Sequence, residues 1–101
     1  MNFPLALLLM AVIDFDAIWN WNDPAESERK FRALPASAEV QTQIARAQGL
    51  QGKFAEAHKT LDGVVTNSPI SSVRYLLERG RVFNSSGKPD EARPLFQTAF
   101  E

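Results

Sequence analysis

The sequence predicts an all-α fold of antiparallel helix hairpins, and three observations carry that expectation. The stretch Gly52-Lys53-Phe54-Ala55-Glu56-Ala57 is echoed 35 residues later by Gly87-Lys88-Pro89-Asp90-Glu91-Ala92. Leu61 is matched by Phe96, four residues past each final Ala. Self-similarity at such a period marks a supersecondary unit that buries its faces by stacking on copies of itself. No stretch shows the period-two alternation of a half-buried strand. Finally, Pro, Gly, Ser and Asp stand where helices start and stop.

In chain order, residues 1–22 read as an N-terminal apolar extension. Residues 3–13 (FPLALLLMAVI) are too few to span a bilayer as a helix. No Lys or Arg precedes them, and Asp14-Phe15-Asp16 follows where a signal peptide needs small residues. Leu5, Leu8, Leu9, Val12 and Ile13 recur at helical spacing, so a short buried helix is expected here. Trp19 and Trp21, among Asp and Asn, are expected to seal one end of the core.

Residues 23–36 begin with a helix start: Asp23 as cap, Pro24 at the first helical position, and Glu26 completing a capping box. Phe31 and Leu34 face inward in this reading, and Pro35 ends the helix. The segment 37–71 carries a helix over 37–50 with Val40, Ile44, Ala45 and Ala47 on its apolar side. It continues through the Gly49–Gly52 break into a helix over 53–66, with Phe54, Ala57, Leu61, Val64 and Val65 inside. Asn67-Ser68-Pro69 reads as a turn. The segment 72–101 holds a helix over about 71–85, burying Tyr75, Leu76, Val82 and Phe83. After the Ser86-Gly87-Lys88 turn, a last helix starts at Pro89 with Ala92, Leu95, Phe96, Ala99 and Phe100. Pro94 lies one turn in and removes one hydrogen bond without ending the helix.

Paired helices cross closely only where side chains are small. Ala45 and Gly80 fill that role on the first helices, Ala57 and Ala92 on the second, with Leu61 and Phe96 filling the gaps. On these residues the chain resembles the tetratricopeptide repeat family. Ala45, Gly52, Phe54, Ala57, Leu61 and Pro69 supply its pattern in the first repeat. Gly80, Phe83, Gly87, Ala92, Phe96 and Ala99 supply it in a second, which ends early. Gln41, Gln48 and Pro89 depart from it, standing where the family prefers Trp, Tyr and an aromatic. Ser27, Phe31 and Leu34 repeat the spacing of a second helix, so residues 23–36 read as a degenerate half-repeat. The run is similar to bacterial tetratricopeptide-repeat proteins of unassigned role. The resemblance implies a short right-handed α-solenoid. It leaves Leu95, Phe96 and Phe100 wanting cover from a longer array, from self-association or from the N-terminal segment.

Composition narrows the function. Hydrophobic content of 45 % with 23 % charged residues is that of an ordinary soluble domain, and 101 residues permit only a modest core. A net charge of −1 supplies no field to draw in nucleic acid or an anionic membrane. The absence of Cys removes disulfides and thiol chemistry, and one His cannot build a multi-histidine metal site. His58 reads as a solvated surface residue, and Ser85-Ser86 as turn chemistry with no base placed to activate them. Gly49-Leu50-Gln51-Gly52-Lys53 lacks the gap between glycines and the hydroxyl after Lys that a phosphate loop requires. No enzyme, cofactor or metal is expected.

What remains is a surface. The resemblance implies that first helices line a concave groove, here with Glu39, Thr42, Gln43 and Arg46 on one helix and Arg74, Leu77, Glu78, Arg81 and Asn84 on the next. Arg suits such a groove because its planar fork holds a carboxylate with two hydrogen bonds. The family's chaperone-tail clamp pairs Lys with Asn on successive helices, and Glu39–Gln43 with Arg74–Glu78 does not match it. The expectation is a non-catalytic, cytoplasmic protein–protein interaction scaffold that takes a peptide or partner helix. The alternatives are a self-associating structural module, an accessory segment of a larger protein, and export if residues 1–22 act as a signal.

Overall fold

The computed structural model describes residues 14–101, so the expected helix within 3–13 lies outside the described residues. Six helices follow: α1 (Phe15–Ile18), α2 (Pro24–Arg32), α3 (Ala38–Leu50), α4 (Phe54–Asp62), α5 (Pro69–Ser85) and α6 (Pro89–Ala99). Among the described residues there is no strand, and no helix is long and apolar enough to cross a membrane.

Most helix starts follow from side-chain caps. Asp23, Ser37 and Ser68 each accept a hydrogen bond from the backbone N–H three residues on, satisfying a donor the helix leaves open. Pro24, Pro69 and Pro89 open α2, α5 and α6, where a missing N–H costs nothing.

Two boundaries differ from the sequence reading. The helix expected over 53–66 ends at Asp62, because Gly63, Val64, Val65 and Thr66 are a run of poor helix formers. Val65 is consequently 74 % exposed rather than inward. The helix expected from 71 begins at Pro69, because Ser68 and Ser71 form a reciprocal capping box that turns the supposed loop into a first turn.

The sequence echo is a repeated backbone structure. Gly52 (φ 76°) and Gly87 (φ 84°) occupy the left-handed region that L side chains avoid. Around them Lys53 N–H donates to Gln48 O at 2.9 Å and Lys88 N–H to Phe83 O at 2.8 Å. Gly52 N–H reaches Gly49 O and Gly87 N–H reaches Asn84 O. These bond pairs are the two of a Schellman helix stop, made twice at equivalent positions. Counting from the residues that cap α2, α4 and α6, the fourth is Ser27, Ala57 or Ala92, each at most 2 % exposed. The eighth is Phe31, Leu61 or Phe96, of which the first two are fully buried and Phe96 is half-buried.

α3 packs against α2, α4 and α5, and α5 against α3, α4 and α6. Two apolar clusters result. One joins Phe15, Trp19, Phe31, Val40, Ile44 and Ala47. The other joins Ala45, Ala57, Leu61 and Val82. The tight crossing of α5 with α6 is set by Gly80, where an added Cβ would lie 2.6 Å from the Phe96 ring.

Candidate functional site

The nine sequence-predicted groove residues lie on α3 and α5, which pack side by side. The structure divides them. Thr42, Gln43 and Glu78 are buried, Glu39, Arg46, Arg74 and Leu77 are half-buried, and Arg81 and Asn84 are exposed. An open groove would leave all nine accessible, and the buried ones are covered by the chain's own residues.

Part of that cover is the Phe15–Trp21 segment. Trp19 is buried, and its indole N–H donates to Gln43 Oε1 at 2.8 Å, the partner a buried indole needs. Its ring meets Phe31 edge-on and stacks on Trp21 at 4.3 Å. Trp21 is 49 % exposed, so of the two rings expected to seal the core, one does so and the other lies outside it. Phe15 packs edge-on against Phe31. Two candidate arginines lie over these rings: Arg46 over Trp21 at 4.5 Å and over Trp19 at 5.6 Å, Arg74 over Phe15 at 4.9 Å. Guanidinium groups favour the negative ring face, and more so when water is excluded.

Glu78 is the centre of the remaining charge. Arg81 Nη1 donates to both of its oxygens, at 2.7 and 3.0 Å, and Arg46 Nε stands 4.0 Å away. Burial holds the Glu78 carboxyl above the usual carboxylate range, and the pull of Arg81, Arg46 and Arg74 only partly offsets it. Burial also lowers Arg46 from the ordinary guanidinium value. Arg81 turns its terminal Nη1 and Arg46 its Nε toward this carboxylate, while the two side chains stay 43 % and 30 % exposed. The arrangement can present two guanidinium groups, oriented by a shared acid and by Trp21, to an anionic group arriving from solvent.

A second cluster, missed in the sequence, ties α4 to α5. Arg79 donates through Nη1 to His58 Nδ1 at 2.9 Å and to His58 O at 3.2 Å. Through Nη2 it donates to Asp62 at 2.7 Å and to the Tyr75 hydroxyl at 3.1 Å. Because Arg has only donors, His58 Nδ1 must accept, so the imidazole is neutral with its proton on Nε2. His58 also packs on Phe83 at 4.5 Å. It is half-buried, not the solvated residue expected, because α5 supplies both the guanidinium and the ring that cover it. Burial and then Arg79 push its pKa below the ordinary value. The signal available in the sequence was Asp62 standing four residues after His58 on one helix face, with an arginine on the next helix.

Gln48, at the position where the tetratricopeptide pattern prefers Tyr, is buried and accepts from Thr60 Oγ1 at 2.7 Å, joining α3 to α4. Compared with protein-family models, curated proteins and solved structures, the chain gives no match.

Proposed function

We propose that this chain is a non-catalytic, cytoplasmic protein-interaction scaffold of tetratricopeptide-like repeats, arranged as a short right-handed solenoid. Its α3–α5 face takes a partner peptide or helix through an acidic group. The observation that carries the reading is the Arg46–Glu78–Arg81 cluster. Two arginines from equivalent repeat positions meet on one buried acid, and both remain reachable from solvent. Trp21 beside them offers an exposed aromatic surface of the kind that anchors interfaces. Since Thr42, Gln43 and Glu78 are covered, the binding edge is Arg46, Arg81, Asn84 and Trp21, with Arg74 and Leu77 at its far end.

The test is selection of short displayed peptides on the full chain. Enriched peptides carry an acidic residue or a free carboxylate, and their binding weakens about tenfold in R46A or R81A, as loss of a charge-assisted contact requires. Enriched peptides indifferent to both substitutions contradict the reading, as does a failure to enrich any. The second reading, self-association, is favoured by Phe100, which is 82 % exposed beside a groove lined by Pro89, Ala92 and Phe96. Mass that rises with protein concentration and is suppressed in F100E supports it.

A further inference from the structure

We infer that the groove along α6, whose walls include Arg93, Phe96, Gln97 and Phe100, takes an amphipathic helix of a partner protein. That helix carries an acidic residue and, three and four residues further on, two apolar ones. The groove is open, about 480 Å³ in volume, and shares only Asn84 with the α3–α5 edge. Contiguous apolar surface with a polar border is the kind of face on which a partner helix docks.

The first hairpin shows what such a face holds. A shift of 35 residues carries His58, Leu61 and Asp62 of α4 onto Arg93, Phe96 and Gln97 of α6. On α4 that face is covered by α5. Val82 shares an apolar cluster with Leu61, and the Phe83 ring lies 4.5 Å from the His58 ring. Arg79, one turn before them, donates to both His58 and Asp62. Among the described residues no helix takes the corresponding place on α6, and Phe96 is half-buried where Leu61 is sealed. α6 also runs on to Ala99, past the equivalent of Asp62, and so adds Phe100, 82 % exposed, as a further apolar wall.

Charge selects the occupant. Asp62, the acceptor for Arg79, is replaced by the amide of Gln97, and the neutral imidazole of His58 by the cation Arg93. An arginine at the Arg79 position of an incoming helix would therefore meet like charge, whereas a carboxylate meets a guanidinium and an amide donor. The α5 of a second copy brings arginine and is the wrong match. Arg93 is free to respond. Its pair with Asp90 at 3.3 Å joins side chains that are 65 % and 90 % exposed, a contact worth little in water, and a guanidinium has five donors to share.

The probe is a labelled peptide of residues 68–86 of this chain, which keeps the Ser68 cap of α5, prepared unsubstituted and as R79E. Binding to the full chain is followed by fluorescence anisotropy, with circular dichroism checking the helix content of each protein variant. The R79E peptide should bind about tenfold more tightly than the unsubstituted one, and R93E in the full chain should invert that order, as a charge pair requires. R93A, used should R93E disturb α6, should abolish the preference. R46A and R81A should leave peptide binding unchanged, whereas weakening in either would assign the peptide to the α3–α5 edge and overturn the proposal. Failure of both peptides to bind overturns it, as does an order of affinities that ignores substitution at Arg93. Mass that rises with protein concentration and is suppressed in F100E overturns it too, giving the groove to a second copy.

Discussion

The turns at Gly52 and Gly87 make the same hydrogen bonds, yet the helices that follow them are buried to very different extents. α4 lies against α3 and α5, and both Ala57 and Leu61 are sealed from solvent. α6 packs chiefly on α5. Ala92 is sealed, Phe96 is half-buried, and Phe100 projects into solvent. Local chemistry thus makes one hairpin twice, but neighbours decide how much of it becomes core. The beginning of the described chain shows the same rule. α2 lacks a full-length first helix among the described residues, and Phe15, Trp19 and the Asn20 backbone fill that place. Ser27, at the small-residue position, exchanges hydrogen bonds with Asn20 at 2.8 and 3.0 Å.

The largest expected effect tests cover directly. Leu61→Ala removes a fully buried side chain and should cost about 2–5 kcal/mol by urea denaturation. Phe96→Ala, although its ring is larger, should cost only about 1–2 kcal/mol, because the ring is already partly wet. A greater loss at Phe96 would break the comparison. Next comes the aromatic cover. Trp19→Phe leaves the buried Gln43 oxygen without its donor and should cost about 1–3 kcal/mol. Gln43→Leu in the same background should recover part of that loss, whereas no recovery would remove the hydrogen bond from the account.

The turns sharpen the other half of the comparison. An added Cβ meets nothing within 4 Å at either Gly52 or Gly87, so only backbone strain distinguishes Gly from Ala there. Gly52→Ala and Gly87→Ala should each cost about 1–2 kcal/mol and match closely. Clearly unequal costs would mean the turns are not equivalent.

The smallest effect belongs to His58. Its folded-state pKa lies below the ordinary imidazole value near 6.5, so on acidification the unfolded chain takes up the proton first. Stability is therefore level above that value and declines as pH falls through it, until the folded protein protonates too. Protonation removes the Nδ1 acceptor from Arg79. A modest fall in melting temperature between pH 7.5 and 5.5 should shrink in His58→Gln. A fall unchanged by that substitution would place the titration elsewhere.

Much of the fold was legible because it rests on local chemistry. Asp23-Pro24, Ser37 and the two Gly-Lys turns mark their boundaries from within a few residues, and the positions of Ala57, Leu61 and Ala92 predict their burial. What escaped was non-local or ambiguous. α1 is four residues among Asp, Asn and Trp, anchored by a bond from Trp19 to Gln43 across 24 residues. Ser68-Pro69 serves as turn or as helix start, and only the Ser71 hydroxyl decides. For the candidate face, the 35-residue spacing implies that Arg46 and Arg81 lie close, and both approach Glu78. It could not tell that Thr42, Gln43 and Glu78 are covered, since a helical period says which residues share a face and nothing of what lies on it.

The most direct test of repeated turns under unequal cover is native-state hydrogen exchange at Lys53 and Lys88. Both amides follow a glycine, so their intrinsic exchange rates are alike, and both donate the same helix-stop bond at nearly the same length. Any difference in protection reports the opening of the surrounding helices. Unequal cover predicts that Lys88 exchanges on the order of tenfold faster than Lys53, with the α6 amides faster than those of α4. Equal protection at the two lysines, or greater protection at Lys88, would contradict it.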